Sequence, residues 1–77
     1  MQVHTEEYVY QALLYHDDRI KLYDRYGEDE VFQDMFEWCD TTFGELMWYN
    51  SYAEIDDCDI FAFRKEEHRN WFVIKWS

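Results

Sequence analysis

The densest group of side chains that could hold a cation runs from Asp56 to Asp59, where three aspartates surround a cysteine. A calcium-binding EF-hand loop needs a central Gly and a distal Glu, and here Phe61 stands where a further ligand would be expected. The two cysteines and three histidines show none of the C-x-x-C or H-x-x-x-H spacing that zinc sites use. We therefore expect a solvated acidic loop from Glu54 to Asp59, with no metal and no cofactor.

The cysteines are the strongest nucleophiles in the chain, and neither has the surroundings of a catalytic thiolate. Cys39 falls on the apolar side of a predicted helix, which favours a buried free thiol. Cys58 could pair with His68, but the three neighbouring aspartates oppose formation of its thiolate. The chain has only two glycines, so it lacks a glycine-rich phosphate loop, and 18 carboxylates allow an acid–base pair in any fold. We predict no catalytic residue and no enzymatic activity.

The distribution of the carboxylates is the most informative chemical feature of the chain. Eighteen Asp and Glu against seven Lys and Arg give a net charge of −11. The charges of residues 1–26 and 60–77 cancel, whereas residues 27–59 hold eleven acids and no base. The eleven are Glu28, Asp29, Glu30, Asp34, Glu37, Asp40, Glu45, Glu54, Asp56, Asp57 and Asp59. This balance disfavours direct binding to nucleic acid or to an anionic membrane and favours a basic protein partner.

One amphipathic helix must position most of these acids. Apolar residues recur at steps of three and four, the spacing that lines one side of a helix. They are Val31, Phe32, Met35, Phe36, Cys39, Phe43, Leu46 and Met47. The acids at 28–30 fit the first turn, where the helix dipole favours negative charge. Gly44 could end this helix or only weaken it.

The opposite side of this helix carries negative charge alone. Glu30, Asp34 and Glu37 follow i, i+4, i+7 spacing, which places successive carboxylates roughly 5 Å apart along the axis. One strand of B-DNA advances about 3.4 Å per phosphate, so the row resembles a phosphate row in charge density. Like charges at i, i+4 cost a few tenths of a kcal/mol each. The row is therefore either a binding surface or the solvated face of an acidic protein.

Two predicted hairpins flank the helix. Tyr8 to Tyr15 and Arg19 to Tyr26 are rich in strand-forming residues, with residues 16–18 as the turn, although a helix start at residues 5–7 fits as well. Ile60 to Lys65 and Trp71 to Trp76 form a second pair joined by a polar loop at 66–70. Asn50 and Ser51 indicate a break. The predicted fold is α+β in the order ββαββ, with one helix on one face of an antiparallel sheet.

In size, acidity, aromatic content and missing catalytic motif, the chain resembles the phage-encoded inhibitors that imitate DNA and occupy the nucleic-acid sites of restriction enzymes or CRISPR nucleases. The eleven acids of residues 27–59 carry this resemblance, which covers overall character and no alignable motif. It implies an anti-restriction or anti-CRISPR protein that binds the basic cleft of a nucleic-acid-binding protein through those acids. The alternative is an antitoxin-like or adaptor module that binds a basic partner without imitating DNA.

Length and composition limit the remaining possibilities. Seventy-seven residues, 48% of them hydrophobic and 22% aromatic, predict a single folded domain over residues 1–77 and not an acidic disordered tail. Two cysteines do not make a disulfide framework, and we see no membrane span or basic leader, so we expect a cytoplasmic protein. More rings are present than one covered sheet face can bury, which allows a homodimer.

Overall fold

The computed structural model describes residues 8–28 and 30–76, which form a three-stranded antiparallel sheet and three helices in the order βααββα. The elements are β1 (Tyr10–Leu14), α1 (His16–Tyr26), α2 (Val31–Phe43), β2 (Trp48–Ala53), β3 (Cys58–Phe63) and α3 (Glu66–Trp76). The α+β class agrees with the prediction. The order ββαββ with a single helix is wrong, because two of the four predicted strands are helices.

The strand that comes last in the sequence lies in the middle of the sheet. The strand order is β1-β3-β2, and both pairings are antiparallel. Phe61 of β3 lies between Ala12 of β1 and Asn50 of β2. Since side chains alternate along a strand, these three residues point to the same face of the sheet.

All three helices pack on that face. Phe61 and Phe63 are fully buried, and the Phe72 ring of α3 stacks on Phe61 with 4.6 Å between ring centroids. Phe36 of α2 lies 5.8 Å from Phe61 by the same measure. Leu22 is the buried residue of α1. Large rings thus fill a core that a small domain could not build from aliphatic side chains alone.

Residues 19–26, predicted as a strand, belong to α1. The segment has a helix start, because Asp18 accepts a hydrogen bond of 3.0 Å from the backbone N–H of Tyr15, which lies just before the helix. The helix ends at Gly27, whose φ of 98° is a conformation that favours glycine. Residues 16–18 are therefore the first turn of α1, and the predicted hairpin turn is wrong.

The predicted second hairpin is also wrong, because residues 66–76 form α3. His68, Phe72 and Trp76 recur at four-residue steps and are all buried, which makes one stripe of the helix part of the core. Between these positions Trp71, Val73 and Ile74 remain exposed. The run from Trp71 to Trp76 is rich in strand-forming residues, but packing against the sheet overrides that local preference.

Three other elements, β1, α2 and β3, lie close to their predicted positions, whereas β2 was not predicted as a strand. The helix predicted from three- and four-residue spacing is present as α2, and it ends at Gly44, where φ is 100°. The predicted strand at 60–65 is present as β3 over Cys58–Phe63. Asn50 and Ser51 do not form a break, because both pair with β3 as part of β2.

Candidate protein-interaction surface

The structure divides the predicted acidic surface into two parts. The first follows α2: Glu28 precedes it, Glu30 is its N-cap residue, Asp34, Glu37 and Asp40 lie within it, and Glu45 follows it. The second is the turn between β2 and β3, with Glu54, Asp56 and Asp57, together with Asp59 on β3. Asp29 lies outside the described residues.

The outward side of α2, which we call the α2 acidic face, consists of Glu30, Asp34, Glu37 and Asp40. All four side chains are exposed, while Val31, Met35, Cys39 and Phe43 are buried on the opposite side of the helix. The ion pairs found between described residues involve none of these four carboxylates. As far as the described residues go, the face therefore presents unpaired negative charge to solvent.

Helix stability explains only the N-terminal half of this face. Glu30 and Asp34 lie near the N-terminus, where the helix dipole stabilises negative charge by about 0.3–1 kcal/mol per group. Asp40 lies in the last full turn, where the dipole is unfavourable, and that turn has no basic residue. The Trp48 indole Nε1 donates a 2.8 Å hydrogen bond to Asp40, which fixes this carboxylate beside β2.

The β2–β3 turn differs because a cation from a distant segment pairs with Asp57 and with the neighbouring Asp59. Arg19 of α1 donates to Asp57 Oδ1 at 2.9 Å and to Asp59 Oδ2 at 3.4 Å. It also donates to the backbone carbonyl of Asp57 at 3.2 Å. The Tyr52 hydroxyl donates a further hydrogen bond of 2.5 Å to Asp57 Oδ1. We call these four residues, Arg19, Tyr52, Asp57 and Asp59, the Arg19 cluster.

Hydrogen bonding and burial shift the pKa values in this cluster. The hydrogen bonds from Tyr52 and then Arg19 lower the pKa of Asp57 below its ordinary value. Burial raises the pKa of Asp59, and Arg19 offsets only part of that rise. The hydrogen bond to Asp57 is the main reason that the pKa of Tyr52 is raised. Asp57 and Asp59 are thus engaged within the fold and are less able than α2 to attract a partner.

The structure does not bring Cys58 close to His68, the histidine that could have acted as its base. Cys58 alternates with Phe61 and Phe63 on β3, so its side chain points away from the helices. His68 lies in the helical layer, where its ring stacks on Phe43 at 4.3 Å. Burial is the main cause that raises the pKa of the Cys58 thiol, and burial together with Asp40 raises that of Cys39 to about 12.

Neither thiol therefore has the lowered pKa of a reactive cysteine. Both are buried free cysteines, as predicted for Cys39. Over residues 8–28 and 30–76, no group of three or more His, Cys, Asp or Glu side chains has an arrangement that could hold a metal ion. None of the helices in this part of the chain is long and apolar enough to cross a membrane.

The sequence reasoning missed Arg19 as the partner of the turn. Arg19 and Asp57 are 38 residues apart in the sequence. The predicted strand at 19–26 gave no reason to place Arg19 beside the β2–β3 turn. A helix at 16–26 directs Arg19 toward the end of β3, where the two aspartates lie. Comparison of the chain with protein-family models, with curated proteins and with solved structures finds no match, so function must be argued from these residues.

Proposed function

We propose that the protein is a DNA-mimic inhibitor, which binds the basic nucleic-acid cleft of a host nuclease, restriction enzyme or CRISPR effector through the α2 acidic face. The observation that supports this proposal is the row of exposed carboxylates on α2, which have no ion-pair partner within residues 8–28 and 30–76. A helix selected for stability alone would usually carry Lys between such acids, because like charges at i, i+4 repel.

The dimensions of the face agree with this role. From Glu30 to Asp40 the face spans about 15 Å at 1.5 Å per residue, a length that matches about four phosphates of one DNA strand at about 3.4 Å each. The row is held on a regular element whose buried side packs on the sheet, so its carboxylates keep their spacing. Glu28 and Glu45 extend the negative surface beyond both ends of the helix.

The Arg19 cluster removes Asp57 and Asp59 from the main part of the proposed binding surface. Asp57 and Asp59 already bind a guanidinium, so a basic cleft would have to compete with Arg19 for them. We therefore propose that α2 supplies the main contacts and that Glu54 and Asp56, which are exposed in the turn, contribute at the periphery.

The first experiment identifies the target and tests mimicry. The protein is used as bait in a host lysate at low and high salt, and the captured protein is then purified and bound in the presence of duplex DNA or guide RNA. A mimic is displaced by the nucleic acid, because both occupy one cleft. If both bind at once, the adaptor alternative replaces the DNA-mimic proposal.

The second experiment neutralises the face. Glu30→Gln, Asp34→Asn, Glu37→Gln and Asp40→Asn remove four charges at nearly constant size, and the amide introduced by Asp40→Asn keeps an oxygen that can accept from Trp48. We expect binding to the captured target to weaken about tenfold or more, mainly through slower association, and the wild-type complex to weaken with added salt.

The matched control changes four exposed acids on the other helices. Asp17→Asn, Asp24→Asn, Glu66→Gln and Glu67→Gln alter the net charge by the same amount. This variant should inhibit the target nearly as well as the wild type, with melting temperatures recorded for both variants. Equal losses in the two variants would show that net charge, and not the α2 acidic face, drives binding.

A further inference from the structure

A second surface of the molecule has the opposite electrostatic character. A groove of about 900 Å³ follows the outer edge of β1, between α1 and α3. We call it the β1 groove. The lining residues used below are Lys21 and Arg25 of α1 and Arg69, Val73 and Ile74 of α3, with Gln11 to Leu14 as the floor.

The floor of the β1 groove presents backbone hydrogen-bonding groups. The Arg64 N–H donates to the Met47 carbonyl, so Met47 and Arg64 are a hydrogen-bonded pair in the β2–β3 register. Alternation along β3 then directs Phe61 and Phe63 to β1 and leaves the backbone groups of Gln11 and Leu13 on the outer edge. Within the described part of the chain, no strand pairs with that edge.

A contact from α3 supports this assignment. The Gln11 carbonyl accepts a 3.4 Å hydrogen bond from Arg69 Nη1, so the carbonyl points away from β3 and into the groove. The N–H of Gln11 and both backbone groups of Leu13 remain on the same edge. An added strand could bond to these groups with ordinary antiparallel or parallel geometry.

The walls of the β1 groove combine cations with apolar surface. Ile74 is 76% exposed and Val73 is 43% exposed, although both lie beside the buried Phe72. Lys21, Arg25 and Arg69 contribute positive charge, although Arg69 also pairs with Glu66 at 3.5 Å, and the one acidic lining residue is Asp18. The Asp18 carboxylate accepts the N–H of Tyr15, so it is occupied at the start of α1.

We propose that the β1 groove binds an extended acidic segment of a partner protein, which adds to the sheet as a fourth strand beside β1. Backbone groups of Gln11 and Leu13 would supply the pairing, and Val73 and Ile74 would contact apolar side chains of the segment. Its Asp or Glu side chains would meet Lys21 and Arg25. This surface is separate from the α2 acidic face and does not depend on the proposed inhibitor function.

Charge favours this occupant over a second copy of the chain. Pairing of β1 with its own copy around a twofold axis would bring two sets of Lys21, Arg25 and Arg69 to one sheet edge. β1 itself, Tyr-Gln-Ala-Leu-Leu, contributes no carboxylate that could offset them. An acidic segment instead relieves the repulsion among the cations.

The net charge of −11 does not prevent such binding. At an ionic strength of 0.15 M, interactions between exposed charges are screened beyond about 8 Å. The cations that line the groove therefore act on a bound segment more strongly than the distant carboxylates of α2.

The probe for the experiment is a fluorescein-labelled heptapeptide, Ser-Glu-Ser-Val-Ser-Glu-Ser, whose Glu and Val side chains all project to one side of a strand. Two control peptides replace Glu with Lys, or carry N-methyl groups on alternate amides so that one edge cannot pair. Fluorescence anisotropy at 0.15 M salt measures affinity, and hydrogen exchange of the Leu13 amide reports pairing at the edge. We expect the acidic peptide to bind at least tenfold more tightly than either control and to protect the Leu13 amide.

Two pairs of variants test the two parts of the proposal. Leu13→Pro removes an outward N–H that β3 does not use, and proline is tolerated on sheet edges, whereas Leu13→Ala keeps that N–H. Lys21→Glu reverses a groove charge, and Lys65→Glu makes the same change outside the groove. Leu13→Pro should weaken peptide binding about tenfold relative to Leu13→Ala, and Lys21→Glu should weaken it about tenfold relative to Lys65→Glu.

Three results would overturn the proposal. One is absence of acidic-peptide binding to the wild type at about 1 mM. Another is equal binding of the acidic, basic and N-methylated peptides. The third is a wild-type dimer in sedimentation that Leu13→Pro dissociates, because a second copy would then be the occupant of the β1 groove. If Leu13→Pro fails to fold, the N-methylated peptide and Lys21→Glu still decide the outcome.

Discussion

The α2 acidic face and the Arg19 cluster contain the same kind of side chain in opposite situations. On α2, four exposed carboxylates have no ion-pair partner among the described residues. In the Arg19 cluster, Asp57 and Asp59 bind a guanidinium whose side chain is only 12% exposed. Two stretches that look alike in sequence thus differ in their surroundings, since Asp57 and Asp59 are ion-paired within the fold and the α2 carboxylates are exposed.

The largest expected effect on stability comes from removing the cation of the cluster. Arg19→Met keeps much of the side-chain volume but leaves Asp59, which is only 19% exposed, without its ion pair. Breaking a fully buried pair costs about 3–5 kcal/mol, and we expect about 2 kcal/mol at this partly exposed site. Urea unfolding at pH 7 measures the loss.

The control for this change is Lys21→Met, an exposed residue of the same helix, which should alter the free energy of unfolding by less than about 0.5 kcal/mol. Adding Asp59→Asn to Arg19→Met should recover part of the loss, because the uncompensated charge is then removed. If Arg19→Met is as stable as Lys21→Met, the cluster does not stabilise the fold and the contrast with α2 disappears.

Neutralising the α2 acidic face should change stability by less than about 1 kcal/mol. Loss of Glu30 and Asp34 removes favourable dipole interactions, while loss of Glu37 and Asp40 relieves repulsion of a few tenths of a kcal/mol per pair. The two halves, made as separate double variants, should therefore shift the melting temperature in opposite directions. A loss above about 2 kcal/mol in the full variant would place these acids among the structural residues.

A smaller, pH-dependent effect should follow from Tyr52→Phe. The Tyr52 hydroxyl is the main cause of the lowered pKa of Asp57, so its removal should destabilise the protein where Asp57 is ionised. A lowered folded-state pKa contributes stability above the unfolded value of about 3.8, and that contribution is lost as the pH falls through the folded value. The variant and the wild type should converge near pH 2.

Comparing their unfolding curves at pH 7 and pH 2 to 3 tests this assignment, with Tyr49→Phe as an exposed control. Asp59 works against the same trend, because its raised pKa favours the folded state as the pH falls. A constant difference between Tyr52→Phe and wild type at all pH values would mean that the hydroxyl acts through packing and not through Asp57.

The smallest effect concerns His68, the one buried histidine in the part of the chain that the structure describes. Burial, and then Lys65, lowers the pKa of His68 below 6.5, and its Nδ1 has no hydrogen-bond partner among residues 8–28 and 30–76. The neutral ring is therefore favoured in the fold, so stability should decrease as the pH falls below the unfolded pKa of about 6.5. His68→Phe should remove this loss above pH 5 and leave the carboxylate effects below pH 4 unchanged. A pH profile identical to that of the wild type would contradict the assignment.

The sequence alone predicts the parts of the fold in which local pattern and packing agree. In α2, the apolar residues from Val31 to Phe43 follow a helical period and the acids occupy the other side, so the helix and its buried side could be anticipated. Its bounds could not, because the predicted apolar side ran on to Met47 and the first turn was placed at residues 28–30. β3 was found for a similar reason, because Phe61 and Phe63 lie in a run that local preference and burial both favour.

The errors in the predicted fold occur where local sequence pattern and packing disagree. In α1 only Leu22 is buried, so the apolar pattern is weak, and the tyrosines favoured a strand. The available signals were the acids Asp17 and Asp18 in the first turn and Gly27 after the last. In α3 the buried stripe at 68, 72 and 76 was obscured by the exposed apolar residues between its members.

The candidate site shows the same limit. The sequence identified the acids but not which of them are ion-paired, because pairing of Arg19 with Asp57 requires α1 and β3 to be adjacent in space. The β1 groove was missed for a related reason, since Lys21 and Arg69 come from two segments that had been predicted as a strand and a loop. Net charge by segment cannot reveal such neighbours, because it counts charges along the chain only.

The central position of β3 also sets an order for folding. β2 and β3 are joined by the short turn at 54–57 and can pair by closing a small loop. β1 must wait for β3 although it was synthesised much earlier, and Phe72 of α3 covers Phe61 only after nearly all of the described chain is present. A growing chain that stops before α3 therefore exposes Phe61 and Phe63. In that state it needs protection from aggregation that the finished fold no longer requires.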